Sequence, residues 1–303
     1  MGSQVGFIGL GSMGLGMSAN LAKAGFSVQG YDIDANKCAA FAQRGGQLAS
    51  TPAAAAADVE VLMVCVFSAK EALPLLAAHS GVLDALPAGA TIVMHTTMSP
   101  SESAALARGV EANGFYYLEA PVTGGQSGAD NGTLTAIVSG TDNALSTARP
   151  ALDAMCARVY HVGQRVGAAG TVKMVNQLLV GVHVAAAAEA MALAVRAGAD
   201  PHATYEVIRN GGGNSNAFTN RVPRMLAGEP EAARTVDIFL KDLGIVQDAA
   251  RELRMPLPLS ASAYQLFLAA AALGANKDAE PSVAALFETL ADIDIAAAAK
   301  EKG

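Results

Sequence analysis

Three glycines at the turn Gly9-Leu10-Gly11-Ser12-Met13-Gly14 carry the first chemistry of this sequence; they follow the apolar run 5–8 and precede a stretch containing Met17 and Leu21. After a strand, the first such glycine permits a tight turn. The second leaves room for a pyrophosphate against the backbone, and the third lets the next helix pack close to the strand. The N–H groups and positive dipole end of that helix then attract phosphate. A glycine-rich turn by itself can be only a turn, but the next apolar run, 27–31, is followed by Asp32. An acid there accepts hydrogen bonds from the adenosine ribose hydroxyls; the alternative is a turn residue or helix N-cap. Strand, glycines, helix, strand and acid in this order predict dinucleotide binding by Gly9, Leu10, Gly11, Ser12, Met13, Gly14 and Asp32. A 2′-phosphate would meet the Asp32 carboxylate, and Ile33-Asp34-Ala35-Asn36 offers no Arg to receive it. The expected cofactor is NAD, favoured over NADP.

Such a loop needs a sheet to hold it. Apolar runs at 5–8, 27–31, 61–66, 91–95, 116–119, 134–139 and 158–162 alternate with stretches of helical propensity, including 13–24, 36–44 and the alanine run 53–57. This rhythm predicts an α/β domain, a doubly wound Rossmann-type parallel sheet covered on both faces. After Gly163 strands disappear. A long helix is expected over 170–198, then helices at 201–209, 218–226, 239–253, 259–273 and 283–290, broken at Gly211-Gly212-Gly213 and Met255-Pro256-Leu257-Pro258. The expected domains are 1–164, binding NAD, and 165–303, all-helical, for substrate and oligomerisation, joined by the long helix with the active site in the cleft between them.

The composition agrees. A chain of 303 residues has room for about two domains. Its 16% charged content, below the usual ~25%, and 52% hydrophobic content exclude disorder for most of it. A net charge of −7 opposes a phosphate backbone, so nucleic acid is not an expected partner. Cys38, Cys65 and Cys156 are far apart and odd in number, which points to a reducing, cytoplasmic setting without disulfides. No export signal is read at the N-terminus. The apolar run 178–197 has membrane length, but His183, Glu189 and Arg196 interrupt it, so a buried helix is expected and no membrane partner.

Four motifs in order extend the reading: the opening Phe7-Ile8-Gly9-Leu10-Gly11-Ser12-Met13-Gly14, the loop from Ala120-Pro121-Val122-Thr123-Gly124-Gly125 to Gly132-Thr133-Leu134-Thr135, the segment Gly167-Ala168-Ala169-Gly170-Thr171-Val172-Lys173-Met174-Val175-Asn176, and Lys241-Asp242-Leu243. Over residues 7–287 the chain resembles the β-hydroxyacid dehydrogenase (3-hydroxyisobutyrate dehydrogenase-like) family. The resemblance implies NAD-dependent oxidation of a short hydroxy acid. The stretches 176–191 and 236–243 draw it towards members acting on L-threonate; 3-hydroxyisobutyrate and tartronate semialdehyde chemistry are the alternatives. It makes Lys173 the catalytic residue, and the chemistry asks for one. Hydride leaves a secondary alcohol carbon while the hydroxyl proton must be taken up, and a desolvated amine can take it. Asn176, three residues on, would orient amine or substrate. Thr123, Gly124 and Gly125 would hold the substrate carboxylate, with Thr123 where the family usually has Ser. Val64, Cys65 and Thr97 would lie beside the nicotinamide ribose. Lys241 would approach the cofactor, unless it forms only a solvated pair with Asp242.

His183, close to two helical turns past Asn176, could meet further substrate hydroxyls or be a buried, hydrogen-bonded helix residue. Asn214, with Ser215 and Asn216, suits either a polyhydroxylated substrate or an ordinary helix start. His79, His95, His161 and His202 show no metal-ligand spacing, so no metal is expected. Apolar, alanine-rich helical faces suggest a homo-oligomer, a dimer or tetramer. The reading from a different class is a non-catalytic dinucleotide-binding module, against which Lys173 and Asn176 weigh.

Overall fold

The computed structural model describes residues 3–229, 235–274 and 282–302. The chain divides into two compact units, Met1–Lys173 and Met174–Gly303.

The first unit alternates strand and helix: β1 (Gln4–Ile8), α1 (Gly14–Lys23), β2 (Ser27–Tyr31), α2 (Ala35–Gln43), β3 (Gln47–Leu48), α3 (Pro52–Ala56), β4 (Val61–Val64), α4 (Ala69–Leu75), α5 (Val82–Ala85), β5 (Thr91–Met94) and α6 (Pro100–Ala112). There follow β6 (Tyr116–Glu119), β7 (Val122–Thr123), α7 (Gly125–Asn131), β8 (Leu134–Gly140), α8 (Asp142–Met155) and β9 (Cys156–Gly163). The sheet order is β3-β2-β1-β4-β5-β6-β8-β7, with β9 on β8. Alternate residues of each central strand serve opposite faces. Phe7, Met63 and Val93 pack with Met17 and Leu21 of α1, whereas Ile8, Leu62, Val64, Ile92 and Met94 pack with Ala55, Ala72 and Leu106 on the other side. Burial on both faces is why these strands read as continuous apolar runs.

The sheet is parallel from β3 to β6, as its rhythm predicts, but β8 runs antiparallel to both β6 and β7. The link from β7 to β8 spans only residues 124–133, too short for a crossover that would bring the chain back parallel. β6 and β7 run along β8 as one bent strand, with Pro121 at the bend. Pro121 has no N–H to offer, but its carbonyl accepts from Ile137 N at 2.9 Å.

The division between units falls inside α9 (Ala168–Arg196), 29 residues long. The second unit continues with α10 (Pro201–Arg209), α11 (Asn216–Ala227), α12 (Thr235–Leu253), α13 (Pro258–Gly274), α14 (Val283–Ala291) and α15 (Ile295–Lys302). α9 serves two cores there. Val184, Ala185 and Ala188 meet Phe239, Leu243 and Phe267, the last two aromatic rings stacking at 4.6 Å between Phe239 and Phe267. Ala187 and Met191 meet Phe218, Val222 and Ile295. By length and composition α9 could cross a membrane; instead it supplies both packed cores of this unit.

Candidate active site

Register lines up the first unit's candidate site residues. Tyr31 pairs with Ile8, Ile8 with Val64, Val64 with Met94 and Met94 with Glu119, a row across the carboxyl ends of five adjacent strands. The residues just past this row are Asp32, Gly9, Cys65, His95 with Thr97, and Ala120 with Thr123. Open α/β sheets bind ligands beyond the carboxyl ends of their strands, where strand order reverses; here β2 and β4 leave β1 on opposite sides.

The glycines of the first loop divide their duties. Gly9 has φ +97°, and a Cβ there would stand 2.3 Å from the Cys65 carbonyl oxygen. A Cβ at Gly14 would stand 1.9 Å from Gly9 O. Both positions are closed by the protein's own backbone. A Cβ on Gly11, by contrast, would meet nothing within 4 Å. Met13, at the N-cap of α1, makes no side-chain cap bond to that helix. Open space at Gly11 beside a helix start with no side-chain cap fits a pyrophosphate, so these residues fit the dinucleotide that the sequence implies.

Asp32 is mostly buried. Its Oδ2 accepts from Leu10 N at 2.8 Å and its Oδ1 from Asp34 N at 2.9 Å, which ties the glycine loop to the end of β2. The helix cap is Asp34, which accepts from Asn36 N, so the N-cap alternative belongs to the neighbour. Lys37 Nζ stands 3.6 Å from Asp32 Oδ1, a cation at this corner that spacing did not disclose. Val64 is a fully buried strand residue, whose carbonyl accepts from His95 N at 2.9 Å. Cys65 and Thr97 are half-buried on the loops after β4 and β5. Those two loops are joined by Thr96, whose hydroxyl receives Val66 N and donates to Val66 O, each at 3.1 Å. His95 is buried, with Nδ1 2.7 Å from Ala120 O; burial depresses its pKa to about 4.

Thr123 is half-buried on β7 and is followed by Gly124 at φ +128° and Gly125 at φ +65°, an exposed turn that needs glycine twice. Lys173 is 7% exposed, and its Nζ donates to Val122 O at 2.8 Å, one residue before Thr123. The structure therefore brings the proposed proton-transfer amine to the proposed substrate loop.

In the second unit, Asn176 Nδ2 donates to Gln177 Oε1 at 2.9 Å, and Gln177 donates in turn to Asp242 Oδ2. Lys241 Nζ stands 3.0 Å from Asp242 Oδ1. Asp242 is 3% exposed, so the Lys241–Asp242 pair is not the solvated one that adjacency allows. A buried carboxylate requires such partners, because an unpaired one would cost several kcal/mol, or about 3–5. Gln177 went unread in the sequence, and Asp242 was weighed only as a solvated partner of Lys241; Gln177 stands i+4 from Lys173, which was the available signal. The His183 side chain is half-buried and has no hydrogen-bond partner among the described residues. Asn214 is exposed, donates to Arg209 O at 2.9 Å and accepts from Thr219 Oγ1 at 2.9 Å, while Ser215 caps α11. That is the helix-start alternative.

Residues 4–163 match the NAD binding domain of 6-phosphogluconate dehydrogenase, and residues 167–286 match the NAD-binding domain of NADP-dependent 3-hydroxyisobutyrate dehydrogenase. The chain is 40% identical over 287 residues to an L-threonate dehydrogenase of Cupriavidus necator, covering 95% of this chain and 97% of that one. It is 38% identical to an L-threonate dehydrogenase of Escherichia coli K12, over 93% and 94% of the two chains. A crystal structure of 3-hydroxyisobutyrate dehydrogenase from Salmonella typhimurium superposes with a TM-score of 0.86 at 36% identity, covering 95% of this chain and 99% of that one. With its glycine loop, its buried lysine and both halves matched, the chain belongs to the 3-hydroxyisobutyrate dehydrogenase family of NAD-binding hydroxyacid oxidoreductases.

Proposed function

We propose that this enzyme oxidises L-threonate to the corresponding 2-oxo acid with NAD in preference to NADP, Lys173 serving as general acid and base. The observation that carries the reading is the buried Lys173 amine, 2.8 Å from Val122 O and adjacent to the Thr123-Gly124-Gly125 turn. Oxidation removes a hydride from the carbinol carbon and a proton from its hydroxyl. NAD, when bound, takes the hydride. The neutral amine of Lys173 takes the proton, and as an ammonium it returns the proton to the alkoxide in the reverse direction. The Thr123 hydroxyl and the N–H groups of Gly124 and Gly125 hold the substrate carboxylate. Asn176 and Lys241 keep the roles that family resemblance implies, and His183, two helical turns past Asn176, meets further substrate hydroxyls. The name borne by the Cupriavidus necator and Escherichia coli relatives supports threonate as substrate; that of the Salmonella structure supports 3-hydroxyisobutyrate as the second reading. We take the cofactor domain as 1–164 and the helical domain as 165–303. The setting is cytoplasmic.

Steady-state oxidation of L-threonate, D-threonate, L-serine, glycerate and 3-hydroxyisobutyrate with NAD and NADP tests the reading. L-Threonate with NAD should have the highest kcat/KM, and a higher value for another acid would reassign the substrate. Lys173→Ala should retain NAD binding and lose at least about 10²-fold in kcat, the scale of general acid–base catalysis. Full turnover by that variant would refute the role of the lysine.

A further inference from the structure

Glu119 is a carboxylate buried to 2% exposure at the end of β6, three residues before the carbonyl that Lys173 binds. Its Oε2 accepts from Ser139 Oγ at 2.7 Å and from Gly167 N at 2.8 Å. The same Ser139 oxygen accepts from Ala169 N at 3.1 Å. Ser139 is fully buried and pairs with Glu119 across the β6–β8 ladder. Two backbone donors at the start of α9, which a helix leaves without intrahelical partners, are thus held by one carboxylate and one hydroxyl fixed in the sheet. The fit is close: Gly167 has φ +101°, and a Cβ on Gly170 would come within 2.7 Å of Glu119 Oε1. Gly170, three residues before Lys173, therefore has no room for a side chain beside Glu119.

Both partners of the Lys173–Val122 hydrogen bond refer back to this group. Val122 follows Glu119 along the bent strand, and Lys173 lies six residues along α9 from Gly167, a rise of about 9 Å. A small rotation at the helix start would move the amine off Val122 O.

We propose that Glu119, acting with Ser139, is a positioning residue for Lys173, setting the start and direction of α9 so that the amine is held at Val122. This rests on the reading of Lys173 as the proton-transfer group, but its test does not depend on turnover. Competitive labelling with acetic anhydride, read by mass spectrometry, compares the reactivity of Lys173 with that of the exposed Lys23 and the half-buried Lys37 in the same folded protein.

Ser139→Ala and Glu119→Ala should raise the Lys173 to Lys23 ratio by about fivefold or more, with Lys37 unchanged against Lys23. Glu119→Gln keeps an oxygen for both donors and should stay within about twofold of the wild type. In the same variants kcat for the best acid of the panel should fall about tenfold or more for the two alanine changes, with the NAD dissociation constant within about threefold. Where Glu119→Ala does not fold, Ser139→Ala decides. An unchanged ratio in a folded variant would overturn the proposal. So would a rise shared by all three lysines, which marks general loosening, or a Gln variant as reactive as the alanine one. If Lys173→Ala keeps full turnover while the labelling result holds, the catalytic reading fails and the positioning stands.

Discussion

Burial decides how His95 responds to pH. Its ring donates from Nδ1 to Ala120 O at 2.7 Å, and its Nε2 has no hydrogen-bond partner among the described residues. Desolvation lowers its pKa to about 4, against an unfolded value of 6.5. As pH falls below 6.5 the unfolded chain takes up this proton first, so stability is lost progressively down to about pH 4 and amounts there to about 3 kcal/mol. Above 6.5 the group makes no pH-dependent contribution. His95→Asn can keep a donor near Ala120 O without titrating. Urea unfolding of the two proteins between pH 7 and pH 4 should therefore show a smaller fall for the variant; equal falls would show that His95 does not govern this limb. At this scale the glycine turn at Gly9, Gly11 and Gly14 and the acid Asp32 were legible from residue type and local order, whereas Lys173 was singled out by the family resemblance. Glu119, Ser139 and His95 were not, because a polar residue next to an apolar run looks the same in sequence whether it faces solvent or anchors another segment.

The glycines at and before the start of α1 differ in the room around them. A Cβ on Gly16 would lie 2.6 Å from the Ala129 backbone, where α1 meets α7, whereas a Cβ on Gly11 meets nothing. Gly16→Ala should lower stability by about 1–3 kcal/mol, the usual range for overpacking. Gly11→Ala should leave the melting temperature within a few degrees and weaken NAD binding about tenfold or more, as read by titration calorimetry. A Gly11 variant that binds NAD normally would remove the pyrophosphate from this loop. The central strands and long helices were readable from periodicity and run length. The direction of β8 was not, since alternation carries no sense of direction; it follows from the short return through α7. β3 and β7, of two residues each, are too brief to show any period, and α15, an alanine-rich end, was not read.

Across the whole molecule, α9 leaves Val175 and Leu179 about half exposed and Leu193 69% exposed, an apolar stripe on the helix that also supplies both cores of its unit. We read this stripe as part of a homo-oligomer contact. Sedimentation should give at least twice the 30.6 kDa chain mass for the wild type and a shift towards 30.6 kDa for Leu179→Glu. A wild type that sediments as a single chain would refute it. What the sequence determined by itself was local: a glycine turn between strand and helix, an acid at the next strand end, and an alternation of apolar runs that can only be buried as a covered sheet. Those features depend on neighbours within a few residues or on one repeated period. Only the tertiary structure decided that Tyr31, Ile8, Val64, Met94 and Glu119 share one row, that Lys173 meets Val122, and that Glu119 holds the start of α9. Such pairings join residues far apart in the chain, Lys173 and Val122 by 51 positions, and no period or local preference encodes which distant donor meets which acceptor.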